Sequence, residues 1–597
     1  TLTLTLTLTL TLTLTLTLTL TLTLTQTLTQ PYGTPDSWFV HGAHKKRTPS
    51  ATSVTRLEYI RYFLHVRDPR RYLDGQVQDL DMVHEDYLHH LGKLWQRFLL
   101  DCQTLLQEQK LSYLASKAGQ RKIRASTYAA VRASMAYNHN LIGTHKVLPS
   151  TYKGGDRYMS RKYQDAMAIV RDRGSPSMFI TITCNPAWRE IKRELRHGLE
   201  PHDRPDLICR VFRLKLKAIM DDIMEGDIFG RVIGQIHVVE YQKRGLPHAH
   251  CLFILDPRDR PRNTVAYDKI SCAEIPPAVA KDDTSSEKLQ RLRQTVLKTM
   301  VHRCSARCKH KDGCKYHFPF DYCHHTRMED TYMYHRRRRP CGNKWVGQTA
   351  RGHIVTNRDI VPYNPYLTAK YNCHINVAVC TNVQCVKYLY KYVYKGADRI
   401  ESTIVDIEAY KRHQQAVRAG KADPGINEVR SYQDYRYITS TEAIDRLFAF
   451  PLDSASPSVQ MLNPHLDGRQ PVNIEEYDDE DPDKHQLRIE HEMFRQQPTQ
   501  LLSYFAECEK PTRFAHPSPR EMLFTDFPKY YTWNTKHRKW NRRQRPAYRS
   551  DIIGRMRFVA ITPETKELFF LRLLLTQTRG AQSYRSEEHT SELQSRE

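Results

Sequence analysis

The chain has 597 residues, enough for about three to four domains, and no apolar run reaches the roughly 18 residues of a membrane-crossing helix, so a soluble protein is expected. Lys and Arg outnumber Asp and Glu by 91 to 66, a formal net charge of +25, with 34 Tyr spread among them. This balance argues against an acidic or membrane-embedded protein and suits phosphate contact with base stacking; nucleic acid is the natural partner, and a basic solvated surface is the competing account.

Residues 1–25 alternate Thr and Leu without a break, far longer than any ordinary strand. The repeat is what the hexanucleotide ACCCTA encodes, so residues 1–32 are expected to be disordered low-complexity sequence from telomere-type DNA, implying a eukaryotic host and a nuclear location. Apolar residues at helical spacing from Arg56 to Ala136 predict a helical N-terminal region, 33–157. A helix over 158–172 follows a Gly-Gly turn. "MFITITC" (178–184) is a β-branched strand, and "REIKRELRHGL" and "LICRVFRLKLKAIMDDIMEG" read as helices. "RVIGQIHVVEYQ" (231–242), "KRGLP" and "HAHCLFIL" form a hairpin. The order predicts an α+β domain on an antiparallel sheet, with helices segregated to one face. "EEYDDEDPDK" (475–484) is an acidic loop. The tail 585–597 resembles translated sequencing adapter, so the authentic sequence is expected to stop near Tyr584.

The hairpin carries a His-x-His pair. With 28 His, chance alone supplies about one such pair, so context decides. On a strand, His248 and His250 project from one face, and Glu240 and Gln242 share a face of the preceding strand. Two imidazoles with a carboxylate or amide oxygen make an open divalent-ion site with room for a phosphate oxygen. A satisfied histidine pair at a sheet edge is the alternative.

Two further segments carry chemistry. In "KYLYKYVYKG" (387–396), a helix would put Tyr388 and Tyr392 on one face beside Lys391 and Lys395, whereas a strand would make an aromatic stripe. In "HRCSARCKHKDGCKYH", His302, Cys304, Cys308, His310, Cys314 and His317 crowd together as structural zinc ligands do, although the spacing is not a standard pair of C-x₂-C units; reduced cysteines in a basic loop are the alternative. The run "HRRRR" (335–339) reads as a nuclear address or as a strip against DNA backbone.

Taken together, "GGDRYMSRKYQDAMAIV", "MFITITCNPAW", "VEYQKRGLPHAHCLFIL", "VPYNPYLTAKYNCHINVAVC" and "VKYLYKYVYKG" closely resemble, in order and separation, the replication-initiator nuclease part of Helitron transposases, members of the HUH endonuclease superfamily. The resemblance spans about 56–584. It implies an HUH-type nuclease domain over 158–400, with a Cys/His-rich insertion at 300–345 and a C-terminal region 401–584 leading toward a helicase. It further implies that His248 and His250 bind Mg²⁺ or Mn²⁺, that Tyr388 and Tyr392 are nucleophiles, and that the substrate is single-stranded DNA at transposon ends and target sites, joined through a 5′-phosphotyrosine. It favours the helical reading of 386–396. Glu240 ranks first as third ligand because related viral initiators place Glu at that offset; Gln242 is the alternative. Lys391 and Lys395 would hold phosphates or lower the phenol pKa, and Thr181, Thr183 and Asn185 align with a strand that shapes the sheet and the DNA path. A structural Zn²⁺ would sit on His302, Cys304, Cys308 and Cys314.

The chain departs from the family pattern at Ala378, where Glu is usual, and at Asp445, where an aromatic residue is usual. Both departures fit an inactive DNA-binding remnant, the alternative to an active nickase. No G-x-x-x-x-G-K-[ST] occurs, so this chain is not expected to hydrolyse ATP; the helicase domain normally found in the same polypeptide is expected to lie beyond it.

Overall fold

The computed structural model describes residues 55–64, 89, 91–116, 148–241, 245–278, 286–304, 308–310, 313–328, 333–342, 344–350, 352–380, 438–467, 469, 498–510, 517–544, 552–559, 561–563 and 565–584. The Thr-Leu repeat, Gln242, the segment with Tyr388, Lys391, Tyr392 and Lys395, the acidic loop and the tail lie outside them.

Five strands form one antiparallel sheet: β1 Met178–Thr183, β2 Val232–Tyr241, β3 Pro247–Leu255, β4 His374–Val379 and β5 Asp453–Ser456, in spatial order β4-β1-β3-β2-β5. Six of the helices build the layers around it: α1 Lys93–Ala115, α2 Asp156–Arg173, α3 Pro205–Glu225, α4 Ser286–Thr299, α5 Pro365–Tyr371 and α6 Ser440–Leu447. The α+β class with a central antiparallel sheet is as the sequence led one to expect. β2 and β3 meet at Gly245, whose φ of 80° a residue with a Cβ rarely adopts.

The helices do not segregate to one face. β3 is buried along its whole length, and its sequence is apolar at both parities beyond the histidines, so both faces need cover. On one face, Ile180, Ala249, Cys251 and Phe253 pack against Ile208, Phe212, Ile219 and Ile223 of α3 and Leu367 of α5. Each buried Ile, Leu or Phe among them stabilises the fold by about 1.5–3 kcal/mol. On the other, Phe179, Ile236, Leu252 and Ile254 meet Ala166 and Ile169 of α2. The helix expected over "REIKRELRHGL" shrinks to Arg189–Arg193, because Gly198 turns the chain at φ 87° into the short helix that begins at Pro201.

A third layer joins the ends of the chain. Trp95 and Leu99 of α1 pack on Ala443, Ile444 and Leu447 of α6 and on Cys209 of α3. The fifth strand of the sheet also comes from beyond residue 400, and Arg555 reaches back to Asp165 of α2 at 2.8 Å.

Two desolvated histidines, the buried His335 and the half-buried His237, limit stability in acid. Burial pushes His237 down to about 4, with the nearby Arg213 guanidinium adding to it, and burial pushes His335 down to about 3, helped by Arg337. Their folded pKa values lie below the unfolded value of about 6.5, so the unfolded chain binds more protons as pH falls. Their stabilisation is full above about pH 6.5 and declines toward pH 4, by about 2 kcal/mol each at pH 5. Urea midpoints should fall between pH 7.5 and 5, and less steeply in His237→Gln; equal slopes would remove His237 from the account.

Candidate metal centre

The register of the hairpin places Glu240 directly opposite His248, and Val238 opposite His250. Residues two apart on a strand share a face, so the three polar side chains converge. Glu240 Oε2 lies 3.4 Å from His248 Nε2 and 3.3 Å from His250 Nε2. These separations exceed the usual 2.7–3.2 Å of an N–H···O bond. They match the spacing of atoms sharing one ion, since two ligands about 2.1 Å from a metal at 90–110° stand about 3.0–3.4 Å apart. Both histidines are more than nine-tenths buried while Glu240 is part-exposed, which gives a low-dielectric floor and one open side.

The neighbouring strands tune this triad. Thr181 and Thr183 pair with His250 and His248 across β1, and Thr181 Oγ1 is 3.2 Å from His250 Nδ1. With Nδ1–H donated to Thr181, Nε2 keeps its lone pair on the Glu240 side. Phe179 stacks on the His250 ring with centroids 5.5 Å apart. Thr181 thus touches the His250 ring directly, besides lying on the strand next to it. Asn185 caps the turn after β1: its Nδ2 donates to the Asn372 carbonyl at 2.7 Å and its Oδ1 accepts from Ala187 N.

Two residues of β4 join this polar end and were not singled out from sequence. His374 and Asn376 lie opposite Thr183 and Thr181. His374 Nδ1 donates to the Thr299 carbonyl at 2.8 Å, and burial lowers its pKa below that of an ordinary imidazole. Asn376 Oδ1 is buried without a hydrogen-bond partner among the described residues. The alternation in "HINVAV" was the available signal: it puts the polar residues on one face and Ile375 and Val377 on the other.

The insertion brings together the second set. One ligand atom from each of His302, Cys304, Cys308 and Cys314 lies within 4.8 Å of every other, with His302 Nε2 at 3.8 Å from Cys308 Sγ and 3.4 Å from Cys314 Sγ. His317 follows a tight turn at φ 63° and is not in the cluster.

In the basic run 335–339, His335 and Arg337 are buried, and Arg336 and Arg338 are part-exposed and paired within the protein. Arg337 is buried, its guanidinium donating to the carbonyls of Asn357 and Ile360 and lying 4.4 Å over the Phe320 ring. Arg338 makes a two-pronged pair with Glu274, and Arg336 reaches Asp268 and Glu274. Of the four arginines, Arg339 is the exposed one. The run is basic because a small, ribbon-rich insertion uses guanidinium groups to satisfy buried carbonyls and carboxylates.

The two departures from the family pattern differ in kind. Ala378 pairs with Phe179 and packs at the margin of the α2-side core. Asp445 is fully buried and accepts two hydrogen bonds from Arg213, at 2.9 and 2.6 Å, and one from Cys209 Sγ. A carboxylate so fully answered is built into the fold.

No helix among the described residues is long and apolar enough to cross a membrane. No curated protein matches the chain. Residues 77–253, which include Glu240, His248 and His250, match the family model described as the Helitron helicase-like domain at the N-terminus. Over residues 77–253 the chain is therefore similar to the N-terminal, helicase-like domain of Helitron transposases.

Proposed function

We propose that the chain is a metal-dependent single-stranded DNA endonuclease and strand transferase of the HUH type, the initiator of Helitron rolling-circle transposition. The observation that supports this most is the triangle of Glu240, His248 and His250 on one hairpin of a central antiparallel sheet. Its mixed imidazole and carboxylate donors can hold a divalent ion, which the Helitron resemblance makes Mg²⁺ or Mn²⁺, and such an ion, when bound, would polarise the scissile phosphate and stabilise the charge developing on it.

The protein's own residues supply the rest. Glu240 and the two imidazoles hold the site, and Thr181 fixes the tautomer of His250. Tyr388 or Tyr392 supplies the nucleophile: its phenol oxygen gives up a proton and bonds to phosphorus, the bond from phosphorus to the 3′ oxygen breaks, and the strand leaves as a free 3′-hydroxyl. The new phosphotyrosine ester conserves the bond energy, so the hydroxyl of another strand can reverse the step. A phenol with an ordinary pKa of about 10 is a poor nucleophile at neutral pH, which is why Lys391 and Lys395 are assigned to hold phosphates or ease the loss of that proton. The thiolate-rich cluster at His302, Cys304, Cys308 and Cys314 suits structural Zn²⁺ instead.

The test is to incubate the full chain with a labelled single-stranded oligonucleotide and Mg²⁺ or Mn²⁺, beside Tyr388→Phe, Tyr392→Phe and His248→Ala. An adduct stable in SDS that disappears without metal or in His248→Ala, and weakens in a tyrosine variant, is expected. Retarded DNA without adduct under any ion would overturn the nuclease reading and leave a DNA-binding remnant.

A further inference from the structure

We propose that zinc at His302, Cys304, Cys308 and Cys314 acts as a brace for the nuclease sheet, holding the end of α4 so that its last carbonyl fixes His374 beside the metal-binding histidines. The inference rests on the zinc assignment and not on the nuclease chemistry.

The cluster's dimensions fit the ion. Tetrahedral zinc with Zn–S near 2.3 Å and Zn–N near 2.05 Å sets S···N at about 3.6 Å and S···S at about 3.8 Å. The observed His302–sulfur distances of 3.4 and 3.8 Å bracket the first value. Three thiol sulfurs crowd one imidazole nitrogen, and the chain around them is built from two-residue ribbons: Lys309–His310 pairs with Gly313–Cys314 across a turn. So short a ribbon has no core of its own and needs an ion to hold it.

What the ion would hold is specific. His302 N donates to the Asp359 carbonyl at 2.8 Å, Val361 N donates to Met300 O at 2.8 Å, and Val301 bridges Ile360. The His302 ring stacks on Phe318 with centroids 4.2 Å apart. Directly before this knot, Thr299 ends α4; its carbonyl accepts the 2.8 Å bond from His374 Nδ1, and its hydroxyl reaches the Cys373 carbonyl. On the sheet, Thr183 lies between His374 and His248, paired with both. The path from zinc ligand to metal-site histidine therefore runs through one carbonyl, one imidazole and one strand. Without the ion, His302 is free to leave Phe318, the α4 end loosens, and His374 loses its acceptor.

The experiment uses the full chain purified with zinc. Mercurial displacement read by a zinc-sensitive dye should release about one zinc per chain from wild type and from His248→Ala, and none from Cys308→Ser or Cys314→Ser. Cobalt substituted for zinc should show the sulfur-to-metal band of a thiolate site. Hydrogen exchange across 372–379 should then quicken at least several-fold on stripping zinc from folded wild type with a chelator, as in Cys314→Ser, and stay slow in Cys314→His, which keeps four ligands. Wild type without zinc would overturn the site. Bound zinc whose removal leaves exchange at 372–379 unchanged would overturn the brace. Neither readout involves DNA, so a protein that never forms an adduct can still confirm both, and adduct formation by a zinc-free wild type would leave the nuclease reading standing while this one falls.

Discussion

Glu240→Gln is expected to reduce adduct formation at limiting Mn²⁺ by at least about a hundredfold, while Gln242→Ala leaves it nearly unchanged. The argument is geometric and electrostatic. Glu240 Oε2 stands 3.3–3.4 Å from both imidazole nitrogens, and it is the only anionic member of the triad. An amide in its place keeps the shape and loses the charge that makes a divalent ion prefer this site to water. Partners one shell further out already cost 10–100-fold in metal affinity when removed, so a ligand belongs at or above the top of that range. Thr181→Val supplies the comparison: it deletes the 3.2 Å contact to His250 Nδ1 and should cost about tenfold, with raised Mn²⁺ restoring most of the rate. An adduct yield in Glu240→Gln within threefold of wild type, with Gln242→Ala inactive, would transfer the ligand role to Gln242.

Asp445→Ala should destabilise the layer of α1, α3 and α6 by about 3–5 kcal/mol, the usual result of removing one partner of a buried pair. The part-buried Arg213 guanidinium, left beside the Phe450 ring without its carboxylate, would retain the Pro451 carbonyl as its hydrogen-bond partner among the described residues. Trp95 lies in the same layer, so in a chain whose other five tryptophans are replaced by Phe its fluorescence reports the urea midpoint. Arg213→Met combined with Asp445→Leu should recover most of the loss, because a well-packed apolar pair avoids the desolvation that the ion pair has to offset. A single variant within 1 kcal/mol of wild type would show that the pair is incidental, and would return Asp445 to the status of a mark of decay.

The convergence of Glu240, His248 and His250 was legible in the sequence because its signal is local. A strand, a glycine turn and a second strand fix their own register, and period two then decides which side chains meet. The α2 and α3 helices were legible for the same reason, as long apolar periodicities with clear stops. What was not legible depended on distant partners. β5 reads "DSAS", with no apolar alternation, and becomes a strand because β2 presents an unpaired edge and the Val239 N–H already bonds Leu452. The cover on both sheet faces follows from β3's doubly apolar pattern, which periodicity alone reads as a buried segment of either kind. The arginines of 335–339 had the composition of a binding strip, and only the positions of Glu274, Asp268 and the Asn357 carbonyl pair three of them within the protein. The family's two tyrosines, read from resemblance, lie outside the described residues.

The three ligand-bearing residues of the metal triad all belong to one hairpin, between Glu240 and His250, whereas the strand that borders them on the far side of β1 arrives only after the whole 256–373 excursion. The first contact closes a short loop; the second closes a long one, and loop-closure cost grows only logarithmically with length. The placement of Glu240, His248 and His250 relative to one another is therefore independent of the length of that excursion. The position of His374, by contrast, does depend on that excursion, because the Thr299 carbonyl that holds its ring belongs to α4.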